Sequence, residues 1–391
     1  MTLSFFCIAG ELSGDRLGAA LIEGLRLETK GRVEFSGIGG PMMAAAGMDS
    51  LFDMNELSVM GLVEVLPRVP RLLYRVRQTA RAVIAARPDA LITIDSPDFC
   101  LRVAKLVRAE LPDIKVIHYV APSVWAWRPE RAEKMARYVD HVLALLPFEP
   151  PLMRAAGMTC DFVGHPVVSE APVLRRDQAG LIADFALDER KPIVTLLPGS
   201  RRGEIARMGP IFDEVTAGIR KSHPDAQFIL PVAPSVADMV ERATARWAVR
   251  PHLLENSADT AQSEARKRAA YGLSDLALAT SGTVALELAA QNCPMVVAYR
   301  ANWATTRMVK KLAQIDTANL INIITETRVV PEFLFENCHA EQILPACLAE
   351  LSQASEGSDQ SRALAGAMLA LGQGAEDAHL WAARSVLGAI G

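Results

Sequence analysis

Short apolar runs alternate with amphipathic stretches from one end of this chain to the other. Leu3–Ile8 is an apolar run ending at Ala9-Gly10, and a helical period follows from Asp15 to Leu27. Further runs of strand character are Val33–Ser36, Ala90–Ile94, Ile114–Val120, His141–Leu145 and Cys160–Val163, with helical stretches such as Leu66–Ala86 and Leu101–Glu110 between them. Strands that are apolar at every position predict a parallel sheet covered by helices on both faces. The segment from Gly164 to Lys191 breaks the rhythm with extra charge and two prolines. It resumes in Pro192–Leu197, Gln227–Val232, Leu276–Ala279 and Met295–Tyr299, and from Ala340 only helical periods remain. The predicted class is α/β: two Rossmann-like parallel-sheet domains, 1–168 and 169–360, facing across a cleft. Helices over 361–391 are expected to pack back on the first domain or on a partner chain.

Composition narrows the field. The chain has 391 residues, 50% hydrophobic and 22% charged, which suits two or three domains with a substantial core and excludes disordered or disulfide-scaffold classes. A net charge of −4 gives no general attraction for nucleic acid. Six cysteines without a C-x-x-C pair exclude a short-spaced zinc or redox motif and predict reduced thiols in a cytosol. The opening MTLSFFCIAGE lacks a basic region before its apolar run, so it is read as a first strand and not a targeting signal. No apolar run approaches the roughly 20 residues of a membrane span.

In open α/β sheets ligands bind outside the carboxyl ends of the strands, so the loops there carry the candidate chemistry. After the first strand come Glu11, Ser13, Gly14 and Asp15, in a turn with two glycines and no Walker lysine. Its amides suit an anion or a sugar hydroxyl; Ser13 or Asp15 suits a plain helix cap equally well. Gly37-Ile38-Gly39-Gly40 has similar backbone freedom but places Met42 where a dinucleotide fingerprint needs its third glycine. Asp95, directly after Ala90–Ile94, is a candidate general base, and Asp98, three residues on, is a candidate cap. One loop carries His118, Ser123, Trp125, Trp127 and Arg128, where indole faces suit a sugar or an acyl chain and serve as core caps just as readily.

In the second half, Gly199, Ser200 and Arg201 follow a strand and open a helix: close approach, a cap and a bidentate donor beside free amides, which is a diphosphate-binding combination. Ser281, Gly282 and Thr283 form a polar turn with Glu287 one helical turn on. That carboxylate can accept the hydroxyls of a ribose, or stand as an ordinary helical glutamate. Between Glu64 and Asp89 no acidic residue occurs, and Arg68, Arg71, Arg75, Arg77, Arg81 and Arg87 fall there. Met60, Leu62, Val63, Val65 and Leu66 lead into it, and Leu72 and Leu73 interleave. A basic helix with apolar flanks suits an anionic bilayer surface, or a solvated face over a core stripe.

These residues resemble one family, the lipid-A-disaccharide synthases, inverting glycosyltransferases of the two-Rossmann B type. The matching stretches are AGELSGD from Ala9, MGLVEVL from Met60, IDSPDF from Ile94, HYVAPSVWAWR from His118, LPFE from Leu146, Gly164-His165, LPGSR from Leu197 and SGTVALE from Ser281. They run in order along nearly the whole chain. This chain carries Ile321 before Asn322 where the family has proline. The resemblance implies condensation of UDP-2,3-diacylglucosamine with 2,3-diacylglucosamine 1-phosphate to a β-1,6-linked disaccharide 1-phosphate, releasing UDP.

The resemblance also implies a cytoplasmic enzyme held peripherally on the anionic inner-membrane surface of a Gram-negative bacterium, with no metal or other cofactor. It leaves room for a homodimer through the C-terminal part. Asp95 would be the base. Gly199, Ser200, Arg201, Ser281, Gly282, Thr283, Glu287 and Asn322 would hold the donor. Two other classes stay open on sequence alone: a UDP-sugar epimerase, which needs no lipid acceptor, and a non-catalytic UDP-sugar or lipid-binding protein.

Overall fold

Strands without a polar face must be buried on both sides, and here two parallel sheets wrapped in helices meet that need. A computed structural model describes residues 2–57, 69–126, 129–169, 173–257, 259–280, 282–301, 306–307, 316–353 and 357–391. The chain divides into two compact units, Met1–Ser169 with Leu371–Gly391, and Glu170–Ala370.

The first unit runs β1 (Leu3–Ala9), α1 (Leu12–Glu28), β2 (Val33–Ile38), α2 (Pro41–Ala45), β3 (Asp49–Ser50) and α3 (Val69–Ala86). It continues with β4 (Ala90–Ile94), α4 (Pro97–Glu110), β5 (Lys115–Tyr119), α5 (Glu130–Met135), β6 (His141–Ala144), α6 (Glu149–Ala155) and β7 (Thr159–Phe162). Among the described residues these strands form one sheet in the order β3-β2-β1-β4-β5-β6-β7. All pairings are parallel. β4 and β6 are buried throughout. The order reverses between β1 and β4, where Ala9 lies beside Ile94 and Ile94 beside Tyr119. The loops that begin at Gly10, Asp95 and Val120 therefore leave the sheet side by side.

The second unit holds α7 (Arg175–Phe185), β8 (Ile193–Leu197), α8 (Arg202–Ser222), β9 (Gln227–Pro231), α9 (Ala237–Thr244), β10 (His252–Leu254) and α10 (Thr260–Leu273). Then come β11 (Leu276–Ala279), α11 (Val284–Ala290), β12 (Met295–Tyr299), α12 (Leu320–Thr325), β13 (Glu332–Leu334), α13 (Ala340–Ser352) and α14 (Asp359–Ala370). Its sheet order is β10-β9-β8-β11-β12-β13, with β8 and β11 at the switch point and Leu197 beside Ala279.

α14 stays with the second unit, where the Gln360 side-chain oxygen accepts the Met295 N–H at 2.6 Å. α15 (Ala378–Ile390) belongs to the first unit and packs on α1. Gly24 permits that approach: a Cβ there would stand 2.4 Å from the His379 carbonyl oxygen. Among the described residues no helix is long and apolar enough to cross a membrane.

Candidate active site

The second unit opens a cavity of about 480 Å³ at its switch point, within the usual size range of small-ligand sites. One wall is the turn after β8, with Gly199, Ser200 and Arg201; another is the turn after β11, with Gly282 and Thr283, and Glu287 from α11. Gly199 has φ 115°, and a Cβ would meet the Glu204 Cβ at 2.6 Å, so this turn requires glycine. The Ser200 and Arg201 N–H groups point at one carboxylate, donating to Glu204 Oε2 at 3.1 and 3.2 Å, while Arg201 Nη1 lies 3.3 Å from Oε1. Two amides and a guanidinium converging on one anion at the start of a 21-residue helix form an oxyanion cradle.

On the far wall, α10 contributes Glu264, Lys267 and Tyr271. Lys267 Nζ bridges Glu264 Oε2 at 2.7 Å and Glu287 Oε2 at 3.1 Å. Burial would lower the Lys267 pKa, yet the two carboxylates outweigh it and hold the pKa above the usual lysine value.

In the first unit, the loops at the switch point carry strain. Asp95 (φ 52°), Ser96 (φ 44°) and Val120 (φ 81°) all adopt left-handed backbone, which costs about 1–3 kcal/mol per non-glycine residue and gathers at functional sites. Neighbouring strands hold it in place. Asp95 N–H donates to the Tyr119 carbonyl at 2.9 Å, Val120 N–H to the Leu143 carbonyl at 3.0 Å, and Ser96 N–H to Asp95 Oδ1 at 2.8 Å. Asp95 is half-buried and Asp98 is exposed in the first turn of α4. Gly10 lies against Ser96: a Cβ on Gly10 would come 2.4 Å from Ser96 Oγ. Glu11 is half-buried and Ser13 exposed beside the buried Gly14. Ser123 is also exposed.

Several expected site residues have structural partners. Asp15 is fully buried, and its carboxylate accepts the N–H groups of Gly40 (2.8 Å), Met42 (2.9 Å) and Met43 (3.0 Å), capping α2 and not its own helix. His118 points into the core, 2.7 Å from Thr93 Oγ1, and burial lowers its pKa to about 4. Asn322 is buried and pairs like a peptide with Val330, donating to its carbonyl at 2.9 Å and accepting its N–H at 3.0 Å, which closes the loop between them. Arg75 does not reach outward: its guanidinium grips Glu56 at 2.6 Å and lies 4.3 Å over the Phe52 ring. Arg71 shares Glu56 at 2.9 Å but stays largely exposed. Leu72 is half-buried and Leu73 exposed.

Trp125 is half-buried, stands edge-on to Phe148 at 5.3 Å and donates from Nε1 to Glu149 at 3.3 Å. Met60, Leu62, Val63, Val65, Leu66, Arg68, Trp127, Arg128 and Ser281 lie outside the described residues. Sequence reasoning passed over Lys267 and held Glu149 only as the end of the LPFE stretch, with no role assigned. The first had a faint signal, since Glu264, Lys267 and Tyr271 recur at helical i, i+3, i+7 spacing. Among the described residues no group of three or more His, Cys, Asp or Glu could hold a metal ion.

A family model described as lipid-A-disaccharide synthetase matches residues 5–383. The chain belongs to the lipid-A-disaccharide synthase family. The lipid-A-disaccharide synthase of Ruegeria pomeroyi is 51% identical over 383 residues, covering 98% of this chain and 94% of that protein. That of Rhodospirillum centenum is 42% identical, covering 99% and 95%. The resemblance read from the motifs is borne out, and with it the activity class: this synthase-family chain is a glycosyltransferase of lipid A biosynthesis.

Solved structures show the fold. A UDP-GlcNAc 2-epimerase from Neisseria meningitidis bound to UDP-GlcNAc superposes with TM-score 0.62 at 12% identity, covering 99% of this chain and 98% of that one. A glycosyltransferase from Rickettsia africae does so with TM-score 0.55 at 13% identity, covering 99% and 97%. The epimerase reading gains nothing from the first, because likeness at that identity extends to architecture alone, whereas whole-length identity links this chain to the synthases.

Proposed function

We propose that the enzyme transfers a diacylglucosamine unit from UDP-2,3-diacylglucosamine to 2,3-diacylglucosamine 1-phosphate, forming a β-1,6 linkage and releasing UDP. The observation that carries this is the switch-point cavity of the second unit. There a cradle of two amides and Arg201 shares its walls with Glu287, the two anchors a nucleoside diphosphate requires. The diphosphate replaces the Glu204 carboxylate on the cradle, and Glu287 takes the ribose hydroxyls. Fixed positive groups are worth most where charge grows on departing UDP, so Arg201 favours bond breaking more than ground-state binding. Asp95, held in strained backbone at the end of β4, removes the proton from the acceptor hydroxyl as that oxygen attacks the anomeric carbon. One direct displacement inverts the anomeric centre and needs a single carboxylate and no cofactor.

α3 supplies the membrane-facing surface in this reading. Leu73, Tyr74, Arg77 and Arg81 are exposed along its outer side, a mixed apolar and cationic face suited to an anionic bilayer where both lipid substrates reside.

The deciding assay is UDP release by the purified chain with both diacyl sugars, together with the mass of the product. Arg201→Ala lowers turnover by about 10²–10³. Asp95→Asn abolishes transfer while UDP binding persists. Wild-type rates in either variant would remove that residue from its role, and an isomerised UDP-sugar without acceptor would overturn the transferase reading.

A further inference from the structure

We propose that Lys267 is a positioning residue for the donor's ribose: it fixes one oxygen of Glu287 so that the other is aimed at the sugar hydroxyls. This rests on the reading of the second-unit cavity as a nucleoside diphosphate site.

The cavity wall brings two carboxylates, Glu264 and Glu287, onto the same ammonium group. Without that group, two like charges would face each other beside a ligand that itself carries a diphosphate. The two carboxylates would then turn apart, and a rotated Glu287 is a poor acceptor for ribose hydroxyls. Lys267 removes the conflict. Its side chain and that of Glu287 are each only about a quarter exposed, at 25% and 29%, so the pair is poorly screened by water while still bordering the cavity.

The geometry divides the labour within Glu287. Lys267 Nζ takes Oε2 at 3.1 Å, so that oxygen is committed and Oε1 is the one offered to a ligand. Glu264, one helical turn back on α10, draws the ammonium group in at 2.7 Å and sets where it stands. The raised Lys267 pKa follows from the same arrangement and keeps the residue a cation through the neutral range. Lys267 thereby acts through Glu287, without touching the reacting atoms.

The test compares binding of UDP and 2′-deoxy-UDP to the full chain by calorimetry, in wild type, Glu287→Gln, Lys267→Met and Lys267→Arg. A carboxylate on the 2′-hydroxyl makes the wild type prefer UDP, and Lys267→Met cuts that preference about tenfold, the value of one charge-assisted hydrogen bond. The loss falls on UDP, with 2′-deoxy-UDP little changed. Lys267→Arg, which keeps the charge, retains most of the preference. In a Glu287→Gln background Lys267→Met changes the preference no further.

If Lys267→Met weakens both nucleotides equally, the residue serves the phosphates or the packing and the proposal is overturned. Should Lys267→Met not fold, Lys267→Gln is judged by the same ratio. A wild type that binds UDP and 2′-deoxy-UDP alike overturns this inference while leaving the donor site standing; a wild type that binds neither overturns the donor reading and this inference with it.

Discussion

Glu149 shows how much one buried carboxyl can govern. It opens α6, is 3% exposed, and accepts the Leu146 N–H at 3.0 Å and the Trp125 indole N–H at 3.3 Å. Burial raises its pKa to about 7 from 4.5, with these two bonds opposing only part of the rise. Between those values the unfolded chain has lost the proton while the folded chain keeps it, so this group's contribution to stability falls as pH climbs from about 4.5 to 7 and is level above. A shift of this size is worth roughly 3 kcal/mol. Glu149→Gln is therefore expected to flatten the pH dependence of thermal unfolding, gaining on the wild type as pH rises from 5 to 8. Parallel melting curves for the two proteins across that range would refute it. The same residue scale marks the limit of reading from sequence. Gly199, Arg201 and Glu287 were legible because a strand-ending turn and the next helix place them locally. The partners of Asp15, His118 and Asn322 were not legible, because a polar residue in a loop does not disclose which distant group it will satisfy, here the Gly40 to Met43 amides, the Thr93 hydroxyl and the Val330 backbone. Lys267 meets Glu287 only through packing of two helices.

Elements were far more legible than partners, and the exceptions share a cause. The central strands are continuous apolar runs, so β1, β4, β8 and β11 stand where the hydrophobic pattern put them. β3, β10 and β13 went unread: they are two or three residues long, lie at sheet edges and include Asp49, His252 and Glu332, whose polarity reads as loop. For α3 the pattern gave the helix and not the orientation of its arginines. Val76, Thr79, Ala80 and Val83 face the core, and Glu56 draws Arg75 inward, its own pKa lowered to about 2 chiefly by that bond. On the proposed membrane-facing reading of α3, Leu73, Tyr74, Arg77 and Arg81 are exposed on its outer side and are the residues to test. Replacing Leu73 and Tyr74 by glutamine and Arg77 and Arg81 by serine together should weaken binding to anionic vesicles in co-sedimentation by about thirtyfold or more, since each basic side chain near such a surface is worth about 1 kcal/mol. Arg75→Ala, by contrast, should lower stability more than vesicle binding. Equal sedimentation of the quadruple variant and the wild type would return α3 to an ordinary solvated surface.

At the scale of the whole molecule, the first unit is completed by the far end of the chain. Ala382, Ala383 and Val386 of α15 are fully buried in its core, and Trp381 meets Phe162 edge-on at 6.2 Å. A polar relay adds to this: Ser385 Oγ lies 2.7 Å from His141 Nε2 and donates to Asp161 at 2.7 Å, while Thr159 occupies the other ring nitrogen. The second unit has cores of its own, built around β8 and β11. Ending the chain at Ala370 should therefore separate the two stabilities. Uncovering α1 and the β6–β7 edge removes on the order of 5 kcal/mol of apolar burial and hydrogen bonding, comparable to the whole stability of a domain. The first unit should lose amide protection in β1 and β4, while UDP still raises the melting temperature of the second through mass action on its own cavity. Hydrogen exchange followed by mass spectrometry, with and without UDP, reads both units in one experiment. Protection lost equally in β1 and β8 would show that the chain folds as a single cooperative body, and protection kept in β1 would show that α15 is dispensable to the unit it completes.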